Sequence, residues 1–137
     1  MRSKTQKKPK WVTASDPYVI VDFVFDRGLL SISIKNIGSG AALSVRVKFS
    51  HRLMGVEGTV DVSALPLFSA LEFLPGGKEI STFLDTSSSY FRSKQPTQIT
   101  TLITYQDARH HEFSNTIRHN LEIYRGIGFV RQASSEL

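Results

Sequence analysis

The amino-acid sequence predicts an all-β protein, an immunoglobulin-like antiparallel β-sandwich of about seven to eight strands. Residues 30–34 and 45–49 both alternate apolar and polar side chains, and a Gly38-Ser39-Gly40 turn joins the two segments. Further extended segments follow at the short intervals that are typical of a sandwich, and no segment has the apolar period of a long helix. Strands with one apolar face must bury that face, so we expect two layers around one core.

The predicted strands are separated by clear turn signals. They cover residues 18–26, 29–36, 42–51, 66–74 and 79–85, and a terminal hairpin of 97–107 and 110–124. Residues 52–57 follow the third of these strands, and residues 58–62 have a weaker extended pattern, which fits an edge strand or part of a long loop. Pro75-Gly76-Gly77 predicts a sharp turn, because proline presets φ and glycine accepts positive φ. The serine-rich segment 86–95 is expected to be a surface loop from which Tyr90 and Phe91 return to the core.

The alternation also predicts which side chains form the core. The candidates are Tyr18, Val19, Val21, Leu30, Ile32, Ile34, Val45, Val47, Phe49, Phe73, Phe83, Leu102, Ile103, Ile117 and Leu121. In the terminal hairpin, Asn115 and His119 fall on the same face as Phe113 and Ile117. A histidine in such a position is more often hydrogen-bonded at the rim of a core than a ligand.

Length and composition exclude several classes of protein. The 137 residues suffice for one domain with a substantial core. The absence of cysteine excludes disulfides, thiolate metal sites and thiol nucleophiles. No stretch approaches the roughly 18 apolar residues of a membrane helix, and the start of the chain lacks the apolar core of a signal peptide. We therefore expect a cytoplasmic protein, with peripheral contact to a membrane left open.

The positive charge of the chain is concentrated at its start. Five basic residues precede the first acidic residue: Arg2, Lys4, Lys7, Lys8 and Lys10. The remaining residues balance twelve basic against twelve acidic side chains. We expect a basic flexible arm over residues 1–16, the sandwich over 17–125 and a flexible tail over 126–137. The five cations and Trp11 are the candidate binding residues, because such an arm can hold anionic lipid or the phosphates of nucleic acid.

Several motifs resemble catalytic or metal sites without meeting their requirements. Gly38-Ser39-Gly40 precedes a strand, whereas a phosphate-binding loop needs a helix that begins at the phosphate. His110 and His111 are adjacent on a predicted strand and point to opposite faces, so they cannot readily share one metal. The sequence predicts no catalytic residue, no metal site and no cofactor. A metal centre formed across strands by His110 or His111 with His119, to which Asp107 or Glu112 adds oxygen, remains an alternative hypothesis.

The turns resemble those of a known group of domains. The segment 34–47 is similar to the Asn-x-Gly-x-Gly-x-Ala-x-x-Val turn of bacterial and phage immunoglobulin-like domains of the CARDB-like group. Leu74-Pro75-Gly76-Gly77 resembles their Leu-x-Pro-Gly corner, and Tyr105-Gln106-Asp107 with Phe113 resembles their Tyr-x-Asp hairpin. The resemblance covers residues 18–124, implies a sandwich and carries no catalytic residue.

Three classes of function follow from these observations. The preferred hypothesis is a non-catalytic interaction module that binds a protein partner or itself through a sheet face or an exposed edge strand. The second is an accessory protein at a membrane surface or on nucleic acid, acting through the basic arm. The third is a metal-dependent enzyme or carrier at the hairpin histidines. No small-molecule substrate is inferred, and the fold alone does not choose among the three.

Overall fold

The structure is a computed structural model in which residues 15–127 are described. The strands in this part are β1 (Val19–Asp26), β2 (Leu29–Asn36), β3 (Ala42–Phe49), β4 (Met54–Gly55), β5 (Val60–Asp61), β6 (Leu71–Leu74), β7 (Glu79–Thr86), β8 (Gln98–Gln106) and β9 (Glu112–Asn120). One short α-helix, α1, spans Ser87–Arg92, and 3-10 turns span Val62–Ala64, Pro66–Phe68 and Leu121–Tyr124.

The strands form an antiparallel sandwich, as the sequence predicts. One sheet has three strands in the order β1-β2-β7, and the other has four in the order β6-β3-β8-β9. The short strands β4 and β5 form a separate ladder of two residue pairs. Apolar side chains from the inner faces of both main sheets make one core. The all-β sandwich is therefore confirmed, with nine strands in the described residues.

The Gly38-Ser39-Gly40 turn carries the chain from one sheet to the other. It does not close a hairpin, because β2 lies in the three-stranded sheet and β3 in the four-stranded sheet. The turn passes directly beneath the backbone that leads into β1. A Cβ atom on Gly40 would lie 1.9 Å from the carbonyl oxygen of Ser15, and one on Gly38 would lie 2.3 Å from that of Asp16. Glycine is required here by close backbone contact.

Most of the predicted core residues are buried, but three predictions were wrong. Phe73, Phe83 and Leu102 lie on the outer faces of their sheets. Their sequence neighbours take the inward positions, and each neighbour is fully buried: Leu74, Leu84 and Ile103. Successive side chains of a strand point to opposite faces, so only one residue of each pair can enter the core. In β7, a register shift opposite Leu30 and Ser31 of the adjacent β2 also affects which residues face the core.

The serine-rich segment forms a helix where the sequence predicted a loop. Thr86 caps α1, because its side-chain oxygen accepts a hydrogen bond from the backbone N–H of Ser89 at 3.2 Å. Tyr90 is fully buried, and its hydroxyl donates to the carbonyl oxygen of Pro96 at 2.6 Å. Phe91 packs against the core. The prediction that these two aromatic side chains return to the core is confirmed.

Two predicted strands are shorter than expected. The segment predicted over 66–74 begins with a 3-10 turn, and only Leu71–Leu74 is strand. At the other end, β9 stops at Asn120, whose side-chain oxygen accepts the N–H of Glu122 at 3.0 Å and starts another 3-10 turn. Ile123 would continue the face of Phe113 and Ile117 if the strand ran on, and it is exposed as a result.

Candidate interaction surface

The edges of the three-stranded sheet carry contacts that limit strand addition. Along β1, the carbonyl oxygens of Val19 and Phe23 accept hydrogen bonds from Asn115 Nδ2 at 2.7 Å and from the Tyr124 hydroxyl at 3.0 Å. At one end of β7, the carbonyl oxygen of Leu84 accepts the N–H of Val56 at 2.8 Å. Covered edges do not readily pair with another chain. In this sheet, the outer face is therefore a better candidate for a binding surface than the edges.

An apolar row crosses the outer face of the three-stranded sheet. Val24 of β1 and Phe83 of β7 are both paired in register with Ser31, which lies between them on β2. The small serine side chain leaves room for the two apolar side chains to present one continuous surface. The outer face of a solvated antiparallel sheet is normally polar at such positions. At this row the sheet departs from the pattern of apolar residues inside and polar residues outside.

Leu29 extends this row toward the turn between β1 and β2. The exposed fraction is 37% for Val24, 43% for Phe83 and 46% for Leu29. Leu29 lies two residues before Ser31 and therefore on the same face of β2. We call the surface formed by Val24, Leu29, Ser31 and Phe83 the apolar face.

Charged residues border the apolar face with an excess of carboxylates. Asp22 and Asp26 flank Val24 on β1, and Glu79 lies on β7 and accepts a hydrogen bond from the Ser33 hydroxyl. Lys35 is paired in register with Glu79, and Arg27 lies 3.9 Å from Asp26. Asp22 makes no ion pair within residues 15–127. A cation on a partner would find its counter-charge at Asp22.

The outer face of the four-stranded sheet has a different composition. Its central positions carry hydroxyl side chains and cations, among them Lys48, Thr104, Thr116 and Arg118. Leu102 is 37% exposed there, the same fraction as Val24, but Lys48 and Thr116 lie beside it in register. Phe73 is also exposed on this sheet, but it pairs with Leu43, at the other end of β3 from Lys48, so it is not beside Leu102. The two faces therefore differ in how their exposed apolar side chains are arranged.

The hairpin histidines are separated by the structure. His111 Nδ1 lies 3.0 Å from Asp107 Oδ2 at the bend, whereas His119 contacts Thr101 at 3.2 Å near the other end of β9. Eight residues of extended strand place the two about 27 Å apart. Within residues 15–127, no three side chains of histidine, aspartate or glutamate come together as metal ligands. The geometry does not assemble the metal centre considered as an alternative.

The pKa values of His119 and Asp107 are both lowered by their surroundings in the fold. Burial lowers the pKa of His119, which packs edge-on against Phe23 with ring centroids 4.9 Å apart, and the nearby Asp22 opposes that effect in part. Burial opposes ionisation of Asp107, yet hydrogen bonds from His111 and Arg109 outweigh it and lower the pKa of Asp107. Both groups stabilise the fold.

The residues predicted to bind through the basic arm are Arg2, Lys4, Lys7, Lys8, Lys10 and Trp11. All six lie outside the described residues. Their binding to anionic lipid or nucleic acid stays a prediction. No helix in residues 15–127 is long and apolar enough to cross a membrane.

Fold and surface together define an antiparallel β-sandwich with an exposed apolar row on one sheet. A model of the DUF8453 domain, a domain of unknown function, matches residues 2–125. The chain belongs to this family. No curated protein and no solved structure is significantly similar to it.

The sequence prediction missed the apolar face, although one signal was present. Val24 occupies the same face of β1 as Asp22 and Asp26, so it interrupts an otherwise polar set. Phe83 gave no such signal, because it was assigned to the core. Its outward position depends on the register of β7 against β2, which a single strand pattern does not specify.

Proposed function

We propose that this protein is a non-catalytic interaction module that binds a protein partner on its apolar face. The in-register row of Val24, Ser31 and Phe83 is the observation that carries the proposal. The partner is a segment with an apolar side chain that covers the row and a lysine or arginine that reaches Asp22. This proposal specifies the sheet face of the sequence-based hypothesis.

The energetics favour a covered apolar face. Removing apolar surface from water contributes about 25 cal/mol per Å², so covering Val24 and Phe83 contributes about 1–2 kcal/mol for each side chain. A contribution above about 1 kcal/mol exceeds that of most residues in an interface. Ser31 adds a side-chain hydroxyl at the centre of the row, which gives the surface a directional contact as well.

The bordering charges argue against self-association through two copies of this face. A symmetric pair would bring together two copies of a face on which carboxylates outnumber cations and Asp22 makes no ion pair within residues 15–127. Like charges that meet at an interface disfavour the pairing. A heterologous partner with basic character is the better match.

The turn motif has a structural role in this chain. The Asn-x-Gly-x-Gly turn that resembles CARDB-like bacterial and phage domains has structural contacts at each polar atom of Asn36. We infer that the likeness to these domains is one of architecture, with binding surfaces specific to this chain. A cytoplasmic location is part of the same proposal.

A peptide-display selection on the full-length chain tests the proposed function. Each peptide retained by the unchanged chain is then tested against the Val24→Thr/Phe83→Thr variant, which keeps the strand propensity and removes the apolar row. We expect the retained peptides to share an apolar residue next to lysine or arginine. Leu102→Thr is the matched control, because it removes an equally exposed apolar side chain from the other sheet. Retained peptides that bind the double variant as well as the control would contradict the proposal.

A further inference from the structure

An open depression lies at the end of β3, on the four-stranded sheet. Its volume is about 380 Å³, and Val47 and Phe49 contribute apolar surface to it. The polar side chains that line it are Lys48, Ser50, His51, Arg52 and Ser63. Three of these carry or can acquire a positive charge, and no carboxylate belongs to the lining. The depression is separate from the apolar face, which belongs to the other sheet.

Lys48 brings an uncompensated charge to this depression. It lies on the outward face of β3, paired in register with Leu102 of β8. It makes no ion pair within residues 15–127, whereas Arg46, two residues earlier, is paired with Glu72 at 2.9 Å. The ammonium group of Lys48 is therefore available to an external anion.

His51 is oriented by its neighbour Ser50. The Ser50 oxygen accepts the backbone N–H of Thr100 at 2.9 Å and lies 2.9 Å from His51 Nδ1. This contact orients the imidazole ring of His51 beside the depression.

Arg52 is oriented in the same manner by Asp61. Its Nε atom lies 3.7 Å from Asp61 Oδ2, and the other oxygen of Asp61 accepts the hydroxyl of Ser63 at 2.6 Å. Ser63 is itself fixed, because its oxygen accepts the N–H of Leu53 at 3.2 Å. The contact of Arg52 with Asp61 is an ion pair longer than a hydrogen bond, so the guanidinium N–H groups remain able to donate to an anion.

We propose that this depression binds an oxyanion, a phosphate or carboxylate group, through Lys48, His51 and Arg52. All three can donate hydrogen bonds, and His51 and Arg52 each contact a neighbour that is itself hydrogen-bonded. Lys48 and Arg52 together exceed the single charge of Asp61.

Titration of the ¹⁵N-labelled full chain with inorganic phosphate and, separately, with acetate tests the site at constant ionic strength. We expect saturable amide shifts at residues 48–52 and at Ser63 with at least one of the two anions. Saturation by phosphate alone assigns a phosphate-bearing ligand, and saturation by acetate alone assigns a carboxylate. Lys48→Gln and Arg52→Gln should each weaken the affinity at least tenfold.

Arg118→Gln is the control, because Arg118 is a cation of the same sheet that does not line the depression. Its affinity for the anion should equal that of the unchanged chain. Amide spectra that superimpose outside the site verify the fold of each variant. The proposal is overturned if neither anion gives saturable shifts, or if Lys48→Gln and Arg118→Gln behave alike.

Discussion

The side chain of Asn36 donates a hydrogen bond to the carbonyl oxygen of Leu74 at 3.0 Å. Asn36 is the last residue of β2 and Leu74 the last residue of β6, so this bond joins the two sheets of the sandwich. The same amide nitrogen donates to Gly40 O at 2.8 Å, and the amide oxygen accepts the N–H groups of Tyr18 and Gly38, each at 3.0 Å. One buried amide thus fixes the crossing between the sheets.

Replacing Asn36 with alanine should lower the free energy of unfolding by about 3 kcal/mol, since it leaves buried backbone groups without partners. Chemical denaturation measures this change. Ser39→Ala is the control, because Ser39 lies within the same turn and its side chain is exposed. A loss under about 1 kcal/mol for Asn36→Ala would show that water replaces these bonds and that the amide is not essential.

Gly40→Ala should destabilise the protein through a direct clash. The added Cβ would lie 1.9 Å from the carbonyl oxygen of Ser15, so the turn or the segment before β1 must move, at about 2–4 kcal/mol. Gly28→Ala is the comparison, because its φ of +82° costs about 1 kcal/mol while no atom lies within 4 Å of the added Cβ. The melting temperature of Gly40→Ala should be lower than that of Gly28→Ala. The reverse order would contradict the close backbone contact at Gly40.

The sequence specified local structure better than the assembly of the sheets. Alternation located the strands, and Gly38-Ser39-Gly40 was correctly identified as a turn. The same turn could close a hairpin or cross between the sheets. The choice depends on the contact of Asn36 with Leu74, two residues that are 38 positions apart in the chain. Such a contact leaves no periodic signal in either segment.

The candidate surface was harder to predict than the core, for a related reason. Phe83 and Leu84 are adjacent and equally apolar, so composition does not say which one faces outward. The register shift opposite Leu30 and Ser31 decides it. Position in the folded sheet, and not residue type, makes Phe83 a surface residue.

His119 should make stability fall as the solution becomes mildly acidic. Burial lowers its pKa in the folded state below the ordinary value of 6.5, so the unfolded chain takes up a proton first as the pH falls. The contribution of His119 to the free energy of unfolding is complete above pH 6.5 and is lost as the pH falls toward the lower pKa of the folded state. His119→Gln should flatten the dependence of unfolding free energy on pH below about 6.5. Identical slopes for both proteins would rule out this role.

Asp107 should affect stability at a lower pH than His119 does. It accepts the backbone N–H groups of Arg109 and His111, both at 2.9 Å, and its folded pKa lies below the ordinary value of 3.8. Its contribution is present above 3.8 and is lost as the pH falls through the folded pKa. Asp107→Ala should lower the unfolding free energy by about 1–2 kcal/mol at pH 7. Denaturation at pH 7 and pH 2.5 checks this, because the difference between the two proteins should shrink at the lower pH.

Calorimetric titration of one selected basic peptide against the full chain, Phe83→Thr and Leu102→Thr tests the central proposal most directly. We predict that Phe83→Thr weakens binding at least tenfold and that Leu102→Thr leaves the affinity unchanged, because only Phe83 belongs to the apolar face. Equal affinities for Phe83→Thr and Leu102→Thr would contradict the assignment of function to this face.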